Sequence, residues 1–306
     1  MGEPARALRV GIQLPEVERV VRWPELRAMA RLAEDAGFDS LWIGDHLLYR
    51  EEVRGARGPW EAWTSLAGLA EATRRIALGP LVASTSFHAP AMLAKMAATV
   101  DEISGGRLVL GLGAGWNEVE YRAFGFPYDH RVSRFEEAFA IVRRLLREGV
   151  CDFEGRWFTV RDCELLPRPR PGGPPLLIGS SGERMLRIAM PWVDAWNVWY
   201  DDIDNSPARL PEYRERVDRA CREVGRDPAG VERTAAVLVR LRGGVGRGDA
   251  GSRRGVTPLA GTSEEIAAGL AAFAREGIAH VQLVLDPITE ASIAELAPVL
   301  EHLERA

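Results

Sequence analysis

The chain has 306 residues, of which 46% are hydrophobic and 27% charged, with a formal net charge of −5. That apolar content suits a large core, and the negative balance leaves no global basic field to hold a nucleic-acid backbone. No apolar run approaches the ~20 residues needed to span a bilayer, and no apolar signal segment precedes the first strand-like run, so a cytoplasmic protein with small-molecule partners is expected.

In chain order, 8–14 (LRVGIQL) reads as a strand and 24–37 as a helix, with Pro near its start and Gly at its end. A second strand, 38–44, precedes a helix over 60–73, and a third, 76–84, precedes one over 90–104. The fourth strand, 107–113, leads to a short helix and then a longer one over 133–148. Residues 151–162 (CDFEGRWFTVRD) read as a hairpin off the main architecture, with Glu154-Gly155 at its turn. Strands over 175–180, 194–199, 234–241 and 280–285 then alternate with helices to the end of the chain. Cys151, Cys163 and Cys221 form no C-x-x-C pair, which predicts neither a disulfide framework nor a zinc site, and no metal-ligand cluster is visible.

Eight strands, each followed by a helix, predict an α/β fold closed as a (β/α)8 TIM barrel. An open doubly wound sheet fits less well, because no glycine fingerprint follows the first strand. The expected organisation is one barrel domain over 1–306, with insertions at about 49–60, 149–174 and 242–260. The last of these is rich in Gly and Arg without periodicity and reads as a mobile surface loop.

Barrel active sites gather where strands end at their C-termini. Asp45 and His46 stand just past the second strand, where an imidazole can act as acid or base and a neighbouring carboxylate can orient it. They read equally as a turn cap and a histidine satisfying a loop carbonyl. The run 111–118 (GLGAGWNE) ends the fourth strand with glycines that permit close backbone approach to a ligand, or simply a tight turn. The run 178–186 (IGSSGERML) passes from the fifth strand into a helix and suits a phosphate cradle, with Glu183 capping and Arg184 adding charge, or an ordinary Ser-capped helix start. Residues 49–63 are long for a strand-to-helix turn. They suggest a roof over the substrate with Trp60 and Trp63 lining it, or two tryptophans that start the second helix and pack on the barrel.

Several stretches together, GFDSLWIGDHL, LGPLV, HAPAMLAKMAATVDEISGGRLVLGLGAGWNEVEYRAFG, RFEEAFAIVRRLL, PPLLIGSSGERMLRIA, DAWN and GTSEEIAAGL, resemble the luciferase-like superfamily, and within it the branch that uses the deazaflavin coenzyme F420. The resemblance implies a flavin-type coenzyme at the C-terminal mouth of the barrel and a homodimer. It places Asp45 and His46 beside the coenzyme as the catalytic pair. It puts Leu81 and Val82 at a strand-three bulge with a non-prolyl cis peptide backing the ring. Gly113, Ala114, Gly115 and Trp116 fall by the coenzyme side chain, and Gly179, Ser180, Ser181, Gly182 and Glu183 at its phosphate. F420-dependent sugar-phosphate dehydrogenases carry Glu directly after the glycine run; Trp116 stands there, which favours a bulkier, less polar substrate. An FMN-dependent monooxygenase with a partner reductase is the first alternative, and a non-catalytic coenzyme-binding protein the second.

Overall fold

The computed structural model describes residues 6–51, 54–246 and 256–305. Eight parallel strands alternate with helices: β1 Arg9–Gln13, β2 Ser40–Ile43, β3 in two pieces, Ala77–Pro80 and Ala83–Ser84, β4 Leu110–Gly113, β5 Leu176–Ile178, β6 Ala195–Val198, β7 Glu232–Arg240 and β8 His280–Asp286. Around them lie α1 Trp23–Asp35, α2 Ala62–Ala72, α3 Pro90–Ser104, α4 Glu118–Phe124, α5 Arg131–Glu148, α6 Glu183–Ala189, α7 Leu210–Glu223, α8 Ser263–Arg275 and α9 Glu290–Arg305. Helix ends follow local chemistry. Pro24 and Pro90 open α1 and α3, and Thr262 with Glu265 forms a reciprocal capping box at α8.

β1 pairs in parallel with β2 and β8, placing Gly11 opposite Ser40 and Ile12 opposite Leu283. The first piece of β3 pairs with β2 and the second with β4, and Leu78 bridges Leu108, so both edges of the sheet belong to one strand and the barrel closes. The continuous third strand expected over 76–84 is thus broken, and the cis Leu81-Val82 peptide sits at the break. The second strand is shorter than the expected 38–44, because Phe38 and Asp39 serve the turn after α1, where Phe38 N donates to Ala33 O.

Alternate residues on a strand face opposite sides, and this divides the core in two. Ile12, Leu41, Leu112 and Leu283 pack outward under the helices. Trp42, Leu81, Leu177, Ala236 and Val284 fill the barrel interior. The interior also holds a polar string. Trp42 Nε1 donates to Ser40 Oγ at 2.7 Å, and Ser40 Oγ meets His280 Nε2 at 2.7 Å. Ser40 Oγ thus links the indole and the imidazole in one buried chain. A Cβ on Gly11 would lie 2.0 Å from Ser40 Oγ, which makes glycine a requirement of this packing.

Burial, with a smaller contribution from the Arg9 charge, pushes His280 down to about 3. The native imidazole refuses a proton that the unfolded chain accepts near pH 6.5. Stability is therefore complete above about pH 6.5 and falls toward pH 3 by up to about 1.4 kcal/mol per pH unit. Urea midpoints measured from pH 7.5 downward should show this decline, and His280→Gln should flatten it. Parallel declines in the two proteins would refute the assignment.

Outside the barrel, Tyr49–Glu51 pairs with Gly55–Arg57 as a hairpin whose Arg57 donates to the Val17 carbonyl. A second hairpin joins Val150–Glu154 to Thr159–Glu164, its turn held where Glu137 accepts from the Arg156, Trp157 and Phe158 amides at 2.8–3.0 Å. Near the Gly/Arg-rich stretch, Gly246 N donates to Asp286 at 2.7 Å and Leu259 bridges Val239; residues 247–255, the centre of the expected mobile loop, lie outside those described.

Candidate active site

The C-terminal ends of the strands open into one cavity of about 540 Å³, within the range of ~300–1,000 Å³ usual for small-molecule sites. Asp45 and His46 line it, as do Leu81 and Val82, Gly113, Ala114, Gly115 and Trp116, and Gly179, Ser180 and Ser181. The turns after β2, β3, β4 and β5 therefore meet at one mouth, and His46 and the 179–181 bend share a single wall system.

The acid–imidazole arrangement differs from the one expected. Asp45 and His46 are adjacent in the turn after β2, and their side chains take different partners. Asp45 is buried, and its Oδ2 accepts from Ser84 N at 2.9 Å and His88 Nε2 at 3.1 Å, tying the end of β2 to the end of β3. The carboxylate that orients His46 is Glu120 on α4, whose Oε1 lies 2.9 Å from His46 Nδ1. Glu120 is fully buried, and its second oxygen accepts from Leu47 N at 2.8 Å and Leu48 N at 3.3 Å. Asn117, the N-cap of α4, donates to Leu48 O at 2.9 Å. The N-terminus of α4 thus clamps the 46–48 loop. With Nδ1–H committed to Glu120, Nε2 is the nitrogen left for a substrate.

Burial pushes His46 toward the neutral form, but the Glu120 hydrogen bond and the charges of Glu16, Glu120 and Asp45 outweigh it and hold its pKa above the ordinary histidine value. Asp45 therefore acts on His46 through its field rather than by contact. The imidazole packs against Tyr49, at 4.9 Å between ring centroids, and Trp116, at 5.6 Å, and these two rings also meet at 6.3 Å, so the three form one cluster. These rings, tilted against one another, give His46 aromatic neighbours on the cavity wall.

The glycines answer to the chain itself: Gly111 first to the Pro80 carbonyl, 2.3 Å from where its Cβ would lie, and then, with the others, to one side chain. A Cβ on Gly111, Gly113 or Gly179 would come within 2.9, 2.8 or 2.9 Å of a Val82 methyl. Glycine on β4 and after β5 lets Val82 settle across two strands, so Leu81 and Val82 form a ridge on the cavity wall. Gly115 has φ +76°, and a Cβ there would sit 2.0 Å from Tyr121 Oη. Tyr121 Oη in turn donates to Ala114 O at 2.8 Å, and Arg131, itself on the cavity wall, donates to the Trp116 carbonyl at 3.2 Å, so both residues hold this loop in place.

Other expected residues fall elsewhere. Gly182 is the N-cap of α6 and does not line the cavity. Glu183, expected to cap the helix, is its first residue; it is exposed and faces Arg219 at 3.9 Å. Arg184 is engaged by Glu136 at 2.7 Å and Ser133 at 3.0 Å. Neither tryptophan expected in the roof reaches the cavity: Trp60 Nε1 donates to Val21 O at 2.7 Å, and Trp63 is buried in the outer core. Glu120, Tyr49, Gln13 and His88 went unrecognised in the sequence. Among the described residues no group of three or more His, Cys, Asp or Glu is placed to hold a metal ion, and no helix is long and apolar enough to cross a membrane.

Residues 8–243 match the family model described as luciferase-like monooxygenase. The chain belongs to the luciferase-like monooxygenase family. Among the family's curated relatives, the 5,10-methylenetetrahydromethanopterin reductase of Archaeoglobus fulgidus is 36% identical over 169 residues, 55% of this chain and 47% of the relative. The pyrimidine monooxygenase RutA of Caulobacter vibrioides is 30% identical over 213 residues, 66% of this chain and 57% of the relative. The matched stretch thus spans about half the length of these relatives. An F420-dependent secondary alcohol dehydrogenase, solved with an F420-acetone adduct, superposes with a TM-score of 0.80 at 20% identity over 97% of this chain and 99% of its own, a likeness that carries the barrel fold.

Proposed function

We propose that this luciferase-like protein is an F420-dependent oxidoreductase that transfers a hydride between the deazaflavin coenzyme and a small, largely apolar organic substrate. The observation that carries the reading is His46, held by the buried Glu120 and lining the cavity beside two aromatic rings. A hydride delivered to an organic acceptor requires a matching proton, and His46 is built to keep one. The residues fit a flat coenzyme: an apolar ridge at Leu81 and Val82, small residues over 113–115 and 179–181, and a cavity of about 540 Å³ that they share.

F420 supplies hydride chemistry when bound. Leu81 and Val82 would back its ring; Gly113, Ala114, Gly115 and Trp116 would flank its side chain; Gly179, Ser180 and Ser181 would hold its phosphate. His46 Nε2 would hold or receive the proton at the substrate, Glu120 would fix the ring and favour its charged form, and Tyr49 and Trp116 would exclude water from the substrate face. The reading extends to a cytoplasmic homodimer. The similarity to RutA keeps an FMN-dependent monooxygenase as the second reading, which alone would need a reductase partner.

An oxygen-free assay tests the proposal. Reduced F420 is mixed with the protein and a panel of ketones, imines and activated alkenes, and recovery of the oxidised deazaflavin absorbance is followed. Turnover of at least one class without oxygen is expected. Product formation only with oxygen, FMN and a flavin reductase would overturn it.

A further inference from the structure

Cys151 and Cys163 share no motif in the sequence, yet the hairpin off the barrel brings them together. Its two strands run antiparallel with Cys151 directly opposite Cys163. Directly opposed residues project from one face of a hairpin, and their Cα atoms lie about 4.5–5.5 Å apart, inside the ~4.4–6.8 Å that a disulfide accepts. The register is fixed on both sides of the pair. On one side Leu165 N donates to Gly149 O at 2.8 Å; on the other a bulge is held where Asp162 N donates to Asp152 Oδ1 at 2.7 Å. Both cysteines are free thiols: Cys151 is buried in the outer core, and Cys163 packs against that core while partly open to solvent. Burial pushes the Cys151 thiol up, and the Arg144 guanidinium beside it, as charge and as hydrogen-bond donor, opposes this. Neither cysteine lines the cavity.

We infer that Cys151 and Cys163 form a peroxide-oxidisable dithiol, a modification site that closes the hairpin with a reversible disulfide. Cys163, the more exposed thiol, reacts first. Its sulfur attacks hydrogen peroxide, the O–O bond breaks, and a sulfenic acid and one water result. The Cys151 thiol then attacks the sulfenic sulfur; the S–O bond breaks, the S–S bond forms and a second water leaves. The two thiols give up two electrons and two protons, and the peroxide takes them. Burial suits Cys151 to the second step, because it is screened from peroxide and faces its partner, and Arg144 favours the thiolate that step needs. Thiol exchange with an added dithiol reopens the bond. The bond fastens the excursion between α5 and β5 and leaves the cavity untouched. The inference stands whichever coenzyme the cavity takes.

Peptide mapping of the full chain tests it. The reduced protein is treated with equimolar hydrogen peroxide, unfolded in N-ethylmaleimide and digested. The peptides holding Cys151 and Cys163 should be joined within one chain, with both alkylation sites lost, while Cys221, buried on α7, stays alkylated. Dithiothreitol should separate the joined peptides and restore both sites. Cys151→Ala gives a second readout. Its Cys163 sulfenic acid meets no resolving thiol, so a dimedone adduct should accumulate there and stay scarce in the unaltered chain. Unjoined peptides after peroxide overturn the inference, whether Cys163 remains alkylated or has passed on to the sulfinic acid. Joining between two chains overturns it as well, as does a dimedone adduct equally abundant in the two proteins.

Discussion

His46→Ala is expected to lose turnover by about 10²–10⁴-fold while still binding coenzyme as the unaltered chain does. The reasoning is geometric. His46 is half-buried at the cavity wall, its Nδ1 is fixed by Glu120, and the walls expected to hold the coenzyme, the Leu81-Val82 ridge and the 179–181 bend, come from other strands. Removing the imidazole leaves those walls in place and takes away the proton. Single-turnover kinetics with saturating reduced coenzyme isolates the step. Equal losses of coenzyme affinity and turnover would make His46 a structural residue, because a proton donor acts on the reaction and not on the docking of the ring.

Glu120→Gln should show the second large effect, through His46. The carboxylate accepts from His46 Nδ1, Leu47 N and Leu48 N, and an amide cannot accept from all three in the same geometry. It also removes the charge-assisted bond that raises the His46 pKa against burial. The sign follows directly. In the unaltered chain the His46 proton persists to higher pH than in an ordinary histidine, so the stability it contributes is complete below about pH 6.5 and fades as pH rises through the raised native value. In Glu120→Gln, burial acts with less opposition and the native value falls. Histidine ring resonances followed by NMR should titrate at lower pH in the variant. The pH limb of single-turnover reduction should move in the same direction, and Asp45→Asn should move it less. The stability cost of a broken buried network of this kind is about 1–3 kcal/mol. An unmoved titration would show that Glu120 holds the loop without setting the charge of His46.

The alternation of apolar runs with amphipathic helices made the barrel legible, since strands such as β7 and β8, covered on both faces, read as nearly unbroken apolar segments. It also placed the turns of residues 45–46, 113–116 and 179–181 at one end, because parallel strands all finish on the same face. Local spacing could not show what closes across the fold. Glu120 lies 74 residues from His46, and nothing near either residue marks the other. The adjacency of Asp45 and His46 suggested a pair, yet each side chain finds its hydrogen-bond partner on another element. The glycines on β4 and after β5 signalled close approach without naming the tenant, which is the Val82 methyl pair from the interrupted third strand. Asn117 and Glu120 did carry a usable signal: three residues apart at a helix start, they form one clamping face.

The central claim is that the cavity over the Leu81-Val82 ridge takes a deazaflavin. Equilibrium titration of the purified chain against F420 and FMN, each oxidised and reduced, tests it most directly, with tryptophan emission from the cavity-lining Trp116 and Trp199 as an internal reporter. The account predicts saturable, stoichiometric binding of F420 that quenches this emission, with FMN binding more weakly; tight FMN binding with no response to F420 would contradict it.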